Sequence, residues 1–135
     1  MKVLFACVHN AGRSQMAAAL FNAAAPATLR AISAGTQPAT SVHPVVIEAM
    51  RELNIDLSSI RPRSLTPELA KGATLLVTMG CGESCPYIPG LRRVDWPLQD
   101  PGGQPMETVR AIRDDIRARV VRLIDELQRQ ERLPA

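Results

Sequence analysis

Aromatic side chains are scarce in this chain of 135 residues: one tryptophan, one tyrosine and two phenylalanines make up 3% of it. Nucleic-acid binders stack bases on such rings or present a basic face. Here the net charge of +3 is spread through the sequence, so nucleic acid is not an expected partner. No apolar run approaches the roughly 20 residues that span a bilayer, which leaves no membrane partner. The apolar stretch before Cys7 is too short for a secretory signal, so Leu4-Phe5-Ala6-Cys7 is not read as a lipidation box. Repeats and low-complexity linkers are lacking. Cys81 and Cys85 supply two possible zinc ligands and only His9 and His43 could add nitrogen, a weak case for zinc, so no metal is expected. Three cysteines without an export signal suggest redox chemistry rather than a structural staple. The mild positive charge suits an anionic substrate.

What the chain does have is concentrated near its start. Cys7-Val8-His9-Asn10-Ala11-Gly12-Arg13-Ser14 follows an apolar run at 3–6 and precedes a helix-like run at 15–25. A strand, loop and helix in this order gather backbone N–H groups and a helix N-terminus around one small volume suited to a tetrahedral oxyanion. Cys7 at its base reads as a nucleophile, its thiolate stabilised by the helix N-terminus, Arg13 and the Ser14 hydroxyl. The planar fork of Arg13 can hold two oxygens at once, which lysine cannot. Gly12 admits close approach of the backbone. Asn10 tolerates a left-handed conformation and can tie the loop through its side chain. The oxyanion-binding loop is therefore read as Val8, His9, Asn10, Ala11, Gly12, Arg13 and Ser14, with His9 lining the mouth. A bare Cys-x5-Arg spacing also fits a buried strand-end cysteine and a surface arginine; the flanking strand and helix favour the site.

A second strand-like run at 74–79 leads into Gly80-Cys81-Gly82-Glu83-Ser84-Cys85-Pro86. Fully extended, Cys81 and Cys85 would stand roughly 13 Å apart. A disulfide needs Cα atoms within about 7 Å, so the pair can bridge only if the segment coils into a turn or short helix. Gly80 and Gly82 give Cys81 freedom to move, and Pro86 disfavours the helical conformation at Cys85. The segment reads as a mobile loop at the C-terminal end of a strand, where α/β sheets place their sites. Two buried, inert cysteines are the alternative. Further on, Asp100-Pro101-Gly102-Gly103 is a good turn by itself. Asp100 reads either as part of that turn or as a general acid for an oxygen leaving the bound oxyanion, a role that asks for some shielding from water. Asp95, inside a strand-like segment, is the weaker candidate. Ser33 could support the loop or simply end a strand. His43 reads as a helix-start residue, and Arg61 and Arg63 as a solvated basic pair.

The length suits one domain over 1–135. Strands are predicted at 2–6, 29–34, 74–79 and 93–96, helices at 14–25, 44–53, 67–70 and 105–129. Their alternation predicts an α/β fold, a four-stranded parallel sheet with helices on both faces. Pro44 and Pro67 suit first helical positions, and Thr66 is a good cap. In the last helix Val109, Ile112, Ile116, Val120, Leu123 and Leu127 share one face. Asp115 with Arg119 and Arg122 with Glu126 occupy the other.

Together these residues resemble the arsenate reductases built on the low-molecular-weight protein tyrosine phosphatase fold. The likeness covers nearly the whole chain: Cys7-x2-Asn10-x2-Arg13-Ser14-Gln15-Met16-Ala17, Ser33-Ala34-Gly35, His43-Pro44, Val77-Thr78-Met79 leading to Cys81 and Cys85-Pro86, then Trp96 and Asp100-Pro101. The first motif is shared by phosphatases and reductases; the cysteine-bearing segment makes the combination more specific. The resemblance implies a relay in which Cys7 attacks arsenate, Arg13 and the loop amides hold it, and Asp100 protonates the leaving oxygen. Cys81 then attacks Cys7, and Cys85 attacks Cys81. It implies no tightly bound cofactor, thioredoxin as reductant and partner, phosphate or sulfate as substrate analogues, and a cytoplasmic monomer. Other relatives use mycothiol or glutathione, and the cysteine spacing leaves the reductant open. Some relatives bind potassium through an acidic residue on the first helix; the matching position here is Ala18. The rival reading is a phosphotyrosine phosphatase sharing Cys7, Arg13 and Asp100, which needs aromatic or apolar slot walls. Gly102-Gly103 and the scarcity of rings argue against it. A non-catalytic oxyanion-binding or redox-sensing module is the third reading.

Overall fold

A computed structural model describes residues 1–80 and 88–132. Four short β-rich runs form strands β1 (Lys2–Cys7), β2 (Arg30–Gly35), β3 (Leu75–Thr78) and β4 (Arg92–Asp95). They pair in the order β2-β1-β3-β4, all parallel, as the alternating pattern predicts. β1 is central and wholly apolar in its interior, as a strand buried on both faces must be. Its side chains alternate: Val3, Phe5 and Cys7 enter one core cluster, Leu4 and Ala6 the other.

The larger cluster is covered by helices α1 (Arg13–Ala24), α2 (Pro44–Arg51) and α4 (Met106–Arg132). The smaller is covered by α3 (Pro67–Ala70) together with Ile88 and Leu91. Phe5 sits between Phe21, at 6.0 Å and edge-on, and Trp96, at 5.6 Å. All three described aromatic residues are thus spent on the core. Ala18, the position where a potassium-binding acid would stand, is buried in the same cluster.

Helix boundaries follow local chemistry. Thr66 Oγ1 accepts from the Leu69 amide at 3.1 Å and caps α3, with Pro67 behind it. α2 stops at Arg51, short of the predicted 53, because Asn54 turns left-handed at φ 61°. The Asn54 amide then reaches Arg51 O and the Ile55 amide reaches Met50 O, the paired closure of a Schellman end. In α4 all six predicted core positions are buried. The Asp115–Arg119 pair forms at 3.0 Å, whereas Glu126 faces Arg92 across to β4 rather than Arg122. None of the helices is long and apolar enough, among the described residues, to cross a membrane.

The register brings Cys7 opposite Gly35, and Ala6 opposite Thr78, so the C-terminal ends of β2, β1 and β3 meet at one edge of the sheet. The chain from Cys7 to Arg13 turns over that edge.

Candidate active site

Backbone hydrogen bonds shape the turn after Cys7. The carbonyls of Cys7, Val8, His9 and Ala11 accept from the amides of Thr36, Gln37, Ala39 and His43, at 2.8 to 3.2 Å. Asn10 O accepts from Gln15 Nε2, and Gly12 O from the Met16 amide. Every carbonyl from Cys7 to Gly12 is therefore turned to a donor outside the ring. Because C=O and N–H point oppositely across a trans peptide, the following amides face its interior. The result is a nest of inward amides, a geometry suited to an anion. Asn10 adopts φ 49°, the left-handed conformation expected of it. The segment 36–43 acts as a belt around the loop, a role that sequence reading missed.

A chain of buried side-chain contacts ends on the sulfur. Arg63 N and Gln15 Nε2 both donate to Asn10 Oδ1 at 3.0 Å, which fixes the orientation of that amide. Asn10 Nδ2 donates to Ser14 Oγ at 2.7 Å, leaving the serine proton free for Cys7 Sγ, 2.9 Å away. Such polarised networks are strongest when buried, and Cys7, Asn10, Ser14 and Gln15 are all buried. A thiolate placed there receives a directed hydrogen bond. Arg63, read from sequence as half of a solvated pair, instead supports the loop through its amide and joins it to β2 through Nε on Ser33 O. Ser33 contributes its carbonyl to this arrangement.

Arg13 opens α1 beyond Gly12, an N-cap residue without a side-chain capping bond. The residue is only 7% exposed, and its Nη1 donates to Leu98 O at 3.0 Å. Its Nε is buried with no hydrogen-bond partner among the described residues. Buried charged donors are rarely left so. Gly80, at φ 85°, lies against the same guanidinium: a Cβ there would collide with Nη1.

Asp100 and Pro101 reach the loop from the other side. A Cβ on Gly12 would come within 2.6 Å of Pro101 Cγ, so glycine is what lets the turn seat there. Pro101 is buried, but Asp100 is exposed, and its Oδ1 accepts the Gly102 amide at 2.9 Å. The shielding that a proton donor asks for falls on its neighbour. Asp95 is engaged elsewhere, accepting from Thr78 Oγ1 at 2.7 Å. His9 stands exposed at the lip, Nδ1 3.0 Å from Gln37 O. His43 caps the start of α2 as expected, but its ring also meets Gly12 and Gly102. Cys81 and Cys85 lie outside the described residues. Among those described, no group of His, Cys, Asp and Glu could hold a metal ion.

A four-stranded parallel sheet with a Cys-x5-Arg turn at the end of β1 is a phosphatase-like arrangement. Residues 2–133 match the low molecular weight phosphotyrosine protein phosphatase family, and the chain belongs to it. It is 41% identical to a putative arsenate reductase of Halobacterium salinarum, over 90% of this chain and 89% of that one. It is similar in structure to a thioredoxin-dependent arsenate reductase of Corynebacterium glutamicum, with 36% identity and a TM-score of 0.80. That match covers 96% of this chain but spans only 62% of the other's length. A low molecular weight protein tyrosine phosphatase from T. tengcongensis is also similar, at 28% identity and a TM-score of 0.84, over 93% of this chain and 99% of that one.

Proposed function

We propose that the protein reduces arsenate to arsenite by passing oxidation along Cys7, Cys81 and Cys85. The observation that carries the first half is the buried, incompletely partnered Arg13 beside a nest of inward amides and a thiol fed by the Ser14 hydroxyl. Cys7 attacks arsenate and forms a sulfur–arsenic bond as an oxygen departs, protonated by Asp100 to leave as water. The loop amides of Val8, His9, Asn10, Ala11 and Gly12, with Arg13, hold the remaining oxygens. The Cys81 thiolate then attacks Cys7 Sγ. A disulfide forms, the sulfur–arsenic bond breaks, and its electron pair stays on arsenic, which leaves as arsenite. Cys85 displaces Cys7 from Cys81, and thioredoxin reduces the final disulfide.

Two considerations favour this over hydrolysis of an aryl phosphate. Phe5, Phe21 and Trp96 pack against one another in the core, so they supply no wall to an aromatic slot. The second and third cysteines have a use in arsenate reduction and none in ester hydrolysis. The reading extends to one cytoplasmic domain over 1–135, a monomer without a resident cofactor.

The test supplies arsenate, thioredoxin, thioredoxin reductase and NADPH and follows NADPH oxidation. Cys7→Ser is expected to abolish it. Cys85→Ser is expected to release one equivalent of arsenite and then stop. Normal cycling of Cys85→Ser would remove that residue from the relay. Hydrolysis of phosphotyrosine without any arsenite would return the protein to the phosphatases.

A further inference from the structure

His43 is held more firmly than a helix-start residue requires. Its amide donates to Ala11 O at 2.9 Å, and its carbonyl accepts from Val46 and Ile47 at 3.0 Å. Pro44 restricts it to the extended conformation it adopts, φ −57° and ψ 131°. One residue is thus fastened to the oxyanion loop on one side and to α2 on the other. The backbone that carries the ring is thereby fixed.

That ring stands between the two halves of the site. A Cβ on Gly12 would lie 3.6 Å from His43 Cδ2 and 2.6 Å from Pro101 Cγ. A Cβ on Gly102 would lie 2.9 Å from His43 Nε2 and 3.3 Å from Asp100 Oδ1. The imidazole and the carboxylate therefore flank one point on the 100–103 turn. Glycine at both positions makes the room that the ring and the proline fill. Of the charged groups around it, Asp100 comes from the turn. Arg13, beside Gly12, directs its Nη1 to Leu98 O, and the nearest charge along α2 is Glu48.

We propose that His43 is a positioning residue for Asp100: its ring, wedged between Gly12 and Gly102, seats the turn so that the carboxyl faces the oxyanion loop. The assignment rests on Asp100 as the donor to the departing oxygen. An exposed carboxyl on a glycine-rich turn has many orientations. The Gly102 amide fixes one oxygen, and the ring, filling the space between Gly12 and Gly102, keeps the turn from collapsing onto the loop or sliding across it. Misplacing a proton donor by about 1 Å costs a factor approaching a hundred.

Two variants of the full chain separate this role from helix capping. His43→Asn keeps a good N-cap but is too short to reach Gly102; His43→Gln restores the reach. In arsenate turnover, His43→Asn is expected to lower kcat about tenfold or more with KM unchanged. His43→Gln is expected to recover most of the loss. Combined with Asp100→Asn, His43→Asn is expected to add little further. Independently of turnover, protection of the Gly102 amide from hydrogen exchange, which reports its bond to Asp100, is expected to fall in His43→Asn and recover in His43→Gln. Losses that multiply in the double variant, a KM effect with kcat intact, or Gly102 protection that is unchanged would overturn the assignment. If the wild-type chain reduces no arsenate, the proposed function fails, while Gly102 protection still decides what His43 does to the turn.

Discussion

Arg13 and Arg113 are each 7% exposed, yet the chain treats them in opposite ways. Arg113, in α4, spends its donors locally. Its Nη1 meets Ala49 O at 2.8 Å and Glu52 Oε1 at 2.7 Å, and its Nε meets Asp114 at 2.9 Å. These contacts join α2 to α4, and Arg110 adds a second grip on Glu52. Among the described residues, Arg13 has one carbonyl and an idle Nε. Burying a guanidinium without partners is costly unless something is to meet it. The comparison teaches that burial alone does not distinguish a staple from a site; the unfilled donor does.

Replacing each arginine tests that distinction. Arg13→Lys keeps the charge but loses the planar fork. Turnover of arsenate is expected to fall about a hundredfold or more, in kcat/KM, with little change in melting temperature. A large drop in Tm with activity intact would make Arg13 a staple after all. Gly80→Ala attacks the same guanidinium from outside. The left-handed φ costs a side chain about 1–2 kcal/mol, and the new methyl collides with Nη1. Weaker binding of inorganic phosphate, by calorimetry, is expected along with that lower stability. Arg113→Met is expected to do the reverse of Arg13→Lys: normal turnover, with about 1 kcal/mol less resistance to denaturant.

The smallest effect concerns pH. Hydrogen bonds from Arg110 and then Arg113 hold the Glu52 carboxyl at about 2, against an ordinary 4.5. A depressed carboxyl stabilises the fold fully above its unfolded value. The stability gap between wild type and Glu52→Gln should thus be present at neutral pH and shrink as the pH falls from 4.5 toward 2. A gap that persists at pH 2 would assign Glu52 to packing rather than charge.

The sheet, its order of elements and α3 with its Thr66 cap were legible because each leaves a local trace: a run of apolar residues, a proline, a capping hydroxyl. The shape of the turn after Cys7 was legible too: Asn10 takes its left-handed conformation, Gly12 leaves room for Pro101 and Ser14 meets the sulfur. The belt at 36–43 was not. It works through main-chain amides on residues far away in sequence, and a backbone donor has no residue type to betray it. Arg63 escaped for the same reason, its amide mattering more than its charge. His43 was read by its proline as the start of a helix, which it is; what its ring meets depends on a turn some sixty positions on.

Those outward-facing carbonyls have one more consequence. The loop's shape is stored in a stretch of chain that lies roughly thirty residues beyond Cys7 and holds it through main-chain amides. Nicking the polypeptide between Thr36 and His43, while sparing every group that would grip the substrate, should release the ring and erase recognition: here the lock is kept shut by its hinge.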